Sequence, residues 1–449
     1  MNKGCTVFLF LLAVAAAVLT VIFVVRGGSA AREVGAGLFV FERDDVTKII
    51  VTNGDQVTEF RRTDAGWQIF PEPVDRASGE YITKVLETAR TTPILDRISA
   101  SEIKDRDQLS QYGVKKSRLQ LDFRGDGDHP LLFGKDAADE TRSYVRFENV
   151  DDVYVIPDEL AKLIFRPRSE LRDRRLSLLR PDRIERLVIR RTGGEIEVRR
   201  TATGWEIVKP MTAPADSDAV EAFLEAMLRL KVTGFSNDGD VESVSEPDVS
   251  ISFFAEGEKD PETLNLGVKS PDGSRLATYS PRYGTFRLPA EAEPLFATAL
   301  DSLRDHSLAR VNLDLVDRIR ITSGAGSLEI ARDGEEWKSK QGPVGNDKVE
   351  KLAAGLVAAK SERFQPATSQ ALAAAGLSPA ARTLSFFSVV SENTPESPAG
   401  ESEVAVLSFG SPSADGLVPV YKKGAPEIAF VSPASLAFLP AKPADLSAP

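Results

Sequence analysis

Apolar and polar residues alternate along this chain in short runs that return at a fixed spacing. Val46-Thr47-Lys48-Ile49-Ile50-Val51, Ile184-Glu185-Arg186-Leu187-Val188-Ile189 and Val316-Asp317-Arg318-Ile319-Arg320-Ile321 start 138 and then 132 residues apart. Trp67, Trp205 and Trp337 keep the same spacing. Period-two alternation is the signature of a half-buried strand, and a long-range period is the signature of repeated units. After each tryptophan comes a turn bearing proline, then a stretch with helical periodicity. In the middle copy Val220, Phe223, Leu224, Met227, Leu228 and Leu230 form one apolar stripe, with Asp216 placed as N-cap. Its counterparts are Asp75 leading into Tyr81, Ile82, Val85 and Leu86, and Asn346 leading into Val349, Leu352 and Leu356.

Each copy closes with further strands. Leu119–Phe123, Val249–Phe253 and Leu384–Ser388 come first, followed by Phe133-Gly134, Leu266-Gly267 and Phe409-Gly410. Tyrosine-bearing strands at Tyr144, Tyr279 and Tyr421 precede strands that run into Pro157, Pro289 and Pro433. Between copies, Leu171-Arg172-Asp173-Arg174-Arg175-Leu176 matches Leu303-Arg304-Asp305-His306-Ser307-Leu308. Ahead of them lies Thr6–Val25, twenty residues without a charge, about 30 Å as a helix and so the thickness of a bilayer's hydrocarbon core. It reads as an uncleaved membrane anchor, with a cleaved signal ending near Gly28-Ser29-Ala30 as the alternative.

The expected fold class is therefore α+β: an N-terminal transmembrane helix followed by three tandem repeats, each a mainly antiparallel β-sheet with one main packed helix. The expected division is an anchor and stalk at 1–37, repeats at 38–175, 176–308 and 309–440, and a disordered tail at 441–449. Arg26–Gly37 reads as the stalk and Ser391–Glu403 as a surface loop. The expected location is the bacterial inner membrane, crossed once, with most of the chain outside the cytoplasm.

Charge and chemistry narrow the function. The chain is net acidic, −11, which speaks against wrapping nucleic acid. One cysteine, Cys5, excludes an internal disulfide framework and a thiolate zinc cluster, and two histidines leave little for imidazole chemistry. No phosphate-binding G-x-x-x-x-G-K-[ST], nucleophile elbow or H-E-x-x-H is present. Asp126-Gly127-Asp128-His129 reads as a hairpin turn rather than a metal loop. No catalytic, metal or cofactor residues are assigned, and the chain is expected not to be an enzyme. Asp173 and Asp305 are expected to pair with neighbouring arginines. Trp67, Trp205 and Trp337 are read as core anchors, with the ring of Trp337 only half covered because Glu335, Glu336, Lys338 and Lys340 surround it. Arginines crowd the stretch from Arg166 to Arg200. Arg174, Arg175, Arg190, Arg191, Arg199 and Arg200 are either solvated strand faces or a patch for an anionic partner.

The charge-free N-terminal run, the Gly66-Trp67-Gln68-Ile69 and Gly204-Trp205-Glu206-Ile207 strands and the Glu336-Trp337-Lys338 strand, with the helices and glycine-marked strands after them, resemble the family of domain-of-unknown-function 4340 proteins. The resemblance implies an envelope protein accompanying an ABC-2-type transporter, whose subunits are the expected partners. It carries no catalytic residues. The function expected on this basis is a non-enzymatic, single-pass, membrane-anchored extracytoplasmic scaffold, accessory to an ABC-type transport system. The alternative is a glycan-binding protein acting on cell wall or exported polysaccharide.

Overall fold

The computed structural model describes residues 32–440 except 73, 104–105, 115–118, 125–129, 137–140, 149, 165, 237–243, 341 and 391–399. The chain divides into two compact units, one of residues 1–180 and 226–296 and one of 181–225 and 297–449.

The first unit opens with strands β1 (Lys48–Asn53), β2 (Gln56–Thr63), β3 (Gly66–Phe70) and β4 (Asp75–Arg76), then helix α1 (Gly79–Thr91). Strands β5 (Asp96–Ile98), β6 (Leu119–Arg124), β7 (Leu131–Asp136), β8 (Arg142–Phe147) and β9 (Val153–Pro157) follow. They make one sheet in the order β4-β3-β2-β1-β6-β7-β8-β9-β5. Ile49 stands opposite Phe60 on one side and Phe123 on the other, and all three are buried. Helix α1 lays Tyr81, Ile82, Val85, Leu86 and Ala89 on that row, each buried aliphatic side chain contributing about 1.5–3 kcal/mol. The same unit holds β14 (Gly234–Ser236), β15 (Val249–Ala255), β16 (Glu262–Lys269), β17 (Arg275–Ser280) and β18 (Thr285–Leu288), paired in the order β15-β16-β17-β18-β14.

The second unit holds β10 (Ile184–Arg191), β11 (Gly194–Thr201), β12 (Gly204–Lys209) and β13 (Ala213–Pro214), paired in that sequence. Helix α2 (Ser217–Leu228) follows β13, and Asp216 caps it by accepting the N–H groups of Asp218 and Ala219. The second unit's nine-stranded sheet is built from β19 (Arg318–Ser323), β20 (Gly326–Asp333), β21 (Glu336–Ser339), β22 (Gly342–Val344), β23 (Ser361–Pro366), β24 (Arg382–Val390), β25 (Gly400–Phe409), β26 (Val418–Lys422) and β27 (Glu427–Val431). Its order, β22-β21-β20-β19-β24-β25-β26-β27-β23, copies that of the first sheet strand for strand. Helix α3 (Asn346–Ala358) lies between β22 and β23 and buries Val349, Leu352 and Leu356 with Ile319, Ile330 and Phe386.

The recurrent glycine after the mid-copy strands has a steric cause. A Cβ at Gly134 would sit 2.0 Å from the carbonyl oxygen of Tyr112, and one at Gly410 would sit 2.1 Å from that of Ala375. Backbone crosses backbone at both places, and only glycine leaves room.

Several expectations are corrected. The expected fold class, led by a transmembrane helix, does not hold: the described residues are sheet-rich, 44% strand against 22% helix. Among the described residues no helix is long and apolar enough to cross a membrane. Helices α1 and α3 have 13 residues each, about 20 Å, and bury only one face. Thr6–Val25, Cys5, Asp126–His129 and Ala441–Pro449 lie outside the described residues. The described end of the expected stalk is held in place: Gly35 donates to the Ile94 carbonyl, and Arg32 stacks over Phe147 at 3.7 Å. The loop expected up to Glu403 ends earlier, since β25 begins at Gly400. Asp75 does not open α1. Ser78 caps it, accepting the Tyr81 N–H, while Asn346 lies inside α3 behind Gly345.

The tryptophans stand at equivalent strand positions, opposite Arg62, Arg200 and Arg332. Trp337 is 3% exposed, contrary to the half-covered ring expected, and Trp205 is 5% exposed, whereas Trp67 is the partly buried one. Charged neighbours on alternate positions of a strand point to the other face, so they say little about the ring between them. Trp205→Ala and Trp337→Ala are expected to cost about 3–5 kcal/mol each, and Trp67→Ala less. Urea denaturation followed by far-ultraviolet circular dichroism checks this, and a near-neutral Trp337→Ala would contradict it.

Candidate functional site

The most heavily constrained polar chemistry lies where the connector after the first sheet meets the edge of that sheet. Strand β4 ends the sheet and places Asp75 inward, 6% exposed. An ionised carboxylate there needs cations. Arg172 Nε donates to Asp75 Oδ2 at 2.6 Å, and Arg282, from the turn between β17 and β18, reaches Oδ1 and Oδ2 at 3.0 and 2.7 Å. Arg282 also donates to the carbonyls of Asp173 and Arg175, at 2.9 and 2.8 Å. Arg172 lies over Phe235, 3.9 Å from the ring centre, and donates to the Tyr283 carbonyl. Two backbone bridges, Ala77 with Arg172 and Arg175 with Lys231, hold the connector between β4 and the residues after α2. Burial pushes the Asp75 carboxyl up, but the hydrogen bonds and charges of Arg282 and Arg172 outweigh it and leave it below the ordinary range.

The second unit repeats this junction with different partners. Ala215 bridges Arg304 and Ser307 bridges Lys360, the positions matching Ala77–Arg172 and Arg175–Lys231. Arg304 pairs with Glu427 and stacks over Phe364, 3.2 Å from the ring centre. Asp173 pairs with Arg175 at 2.8 Å, and Asp305 with Arg310 at 2.9 Å. Arg174 donates to the Thr233 carbonyl at 3.0 Å, and at the matching place His306 Nδ1 lies 2.8 Å from the Ser361 carbonyl. The histidine therefore ties connector to strand as the arginine does.

The six arginines read as a patch are distributed otherwise. Arg174 and Arg175 belong to the first unit's junction, and the other four to the second unit. Arg190 pairs with Glu195 at 2.7 Å and Arg199 with Glu197 at 3.1 Å. Arg200 pairs with Glu221 at 2.8 Å and covers Trp205, 4.4 Å from its ring, while Trp205 Nε1 donates to the same carboxylate at 2.9 Å. Arg191 is half buried, which lowers its pKa. The Trp205 ring is covered in this way and only 5% exposed.

A further threefold feature escaped the sequence reading. Glu59, Glu197 and Glu329 keep the 138 and 132 spacing and stand opposite Ile50, Val188 and Arg320. Each is held by cations: Lys48 and Arg61 on Glu59, Arg186, Arg199 and Lys209 on Glu197, and Arg320 on Glu329. The Arg61 hydrogen bond leads in drawing the Glu59 carboxyl down to about 2. The signal was available as a glutamate directly before an apolar strand residue (Phe60, Val198, Ile330) at constant spacing. Arg282 had no such signal, because its partner Asp75 corresponds to Ala213 in the middle copy. Among the described residues no three His, Cys, Asp or Glu side chains gather as a metal site.

Removing one partner of a buried pair strands the other, at about 3–5 kcal/mol. Asp75→Asn is expected to lower the stability of the first unit by that order in urea denaturation. A carboxyl with a lowered folded pKa stabilises fully above its unfolded value of about 3.9 and loses that contribution as the pH falls toward the folded value. Wild-type stability should therefore fall with acid below about pH 4 more steeply than that of Asp75→Asn; parallel curves would contradict the assignment.

A profile described as a domain of unknown function (DUF4340) matches residues 93–242 and 205–344, which together span more than half of the chain. No curated protein matches it. Among solved structures, the DNA polymerase sliding clamp from Pseudomonas aeruginosa aligns over 88% of this chain and 93% of its own, at 10% identity and a TM-score of 0.13, too low to carry an argument. By the extent of the profile match, the chain belongs to the family of domain-of-unknown-function 4340 proteins.

Proposed function

We propose that this chain is a non-catalytic interaction scaffold of the bacterial cell envelope, accessory to an ABC-type transport system and acting on the extracytoplasmic side. The observation that carries the reading is the pair of junctions: the buried Asp75 carboxylate and the partly buried Arg304–Glu427 pair fasten connectors to sheets. The ladders at Glu59, Glu197 and Glu329 likewise place their carboxylates against cations on the sheet. Charges fixed in this way favour shape over proton transfer, which needs a group free to change its protonation. The transport association draws on the family resemblance, and the family's own description assigns no activity.

Crosslinking in cells followed by purification of the full chain in mild detergent tests this. Permease and ATPase subunits of an ABC-type transporter are expected to be recovered at stoichiometric level, and to be lost on Asp75→Asn together with Arg304→Gln. Repeated recovery of the chain alone would contradict the proposal.

A further inference from the structure

The cleft beside the first junction holds more charge than the cross-link uses. Its volume is about 640 Å³, and six cations against three carboxylates line it, in a chain whose net charge is −11. Arg172, Arg174 and Arg175 are engaged in the junction. Lys84 and Lys231 have no ion-pair partner among the described residues, and Arg166 reaches Glu170 only at 3.9 Å.

One end of the cleft is the first turn of α1, a 13-residue helix whose N-terminus carries partial positive charge. Ser78 takes the Tyr81 N–H, while the N–H groups of Gly79 and Glu80 have no acceptor among the described residues. A Cβ at Gly79 would meet nothing within 4 Å, so no side chain crowds that corner of the helix end. Independently of the helix end, Tyr81 lines the same cleft, is only 6% exposed, and its hydroxyl has no hydrogen-bond partner among the described residues. A buried donor left unmade is costly, and a ligand oxygen would satisfy it. Burial raises the pKa of this phenol, opposed by the nearby Arg166 charge, so at neutral pH it keeps its proton to donate.

We propose that this cleft binds a phosphate group, held by Lys84, Arg166 and Lys231, the first N–H groups of α1 and the Tyr81 hydroxyl. A tetrahedral phosphate presents acceptor oxygens in several directions for donors arriving from several sides, which a planar carboxylate does not. Glu80 and Glu170 stand at the same cleft and disfavour an extended acidic chain, which would have to pass them. The volume exceeds that of a phosphate alone and leaves room for the organic part of a phosphomonoester or a lipid headgroup.

Calorimetric titration of the full chain with inorganic phosphate and glycerol 3-phosphate, and flotation with phosphatidylglycerol against phosphatidylcholine vesicles, test this. Lys84→Gln and Arg166→Gln are expected to weaken binding about tenfold each, the effect of losing one charge-assisted hydrogen bond. Both side chains are exposed, so the melting temperature should not change. Tyr81→Phe is expected to weaken binding several-fold with the fold intact. Binding of the soluble phosphates with these losses assigns a free phosphate ligand. Binding of phosphatidylglycerol vesicles alone, with the same losses, assigns a lipid headgroup. No binding of any probe, binding indifferent to all three variants, or binding of polyglutamate only would overturn the proposal.

Discussion

A carboxylate withdrawn from water must be answered by cations in fixed places, and Asp75 imposes that condition on three separate stretches of chain. Strand β4 must present it, the connector must bring Arg172, and the turn after β17 must bring Arg282. Desolvating the ions costs several kcal/mol each, so the cluster is tolerable only when all three arrive together. Arg282 reinforces this by donating to two connector carbonyls, which joins ion pairing to backbone placement. The second unit meets the same demand through Arg304, Glu427 and Phe364. The geometry is kept while the residues change.

How much of this could be read beforehand depends on what each residue's role leaves in the sequence. The strands around Ile49, Leu187 and Ile319 were legible, because an inward face forces apolar residues at period two and the repeat displays the pattern three times. Helix α2 was legible for the same reason, and Asp216 caps it as expected. Asp75 was misread because an aspartate shortly before a helical stripe looks like a cap, and only the fold shows that Ser78 holds that place. Trp337 was misjudged because strand neighbours were taken as its surroundings, whereas they face away from it. Arg282 left no trace at all, since an ion pair 207 positions apart has no local pattern.

The paired arginines also explain why a basic stretch need not make a basic surface. Arg190, Arg199 and Arg200 each face a glutamate on the same sheet or on α2. Among the described residues, positive charge without an ion pair gathers instead at Lys84 and Lys231, beside the loosely paired Arg166, residues far apart in the sequence. Recognition would then depend on what the fold leaves unsatisfied.

A double-mutant cycle on Asp75 and Arg282 tests the central claim most directly. If the buried pair fixes the junction, the double substitution to alanine should destabilise by less than the sum of the single ones, with a coupling of about 1–3 kcal/mol. Additivity to within about 0.5 kcal/mol would mean that the two side chains do not act together, and would contradict the account.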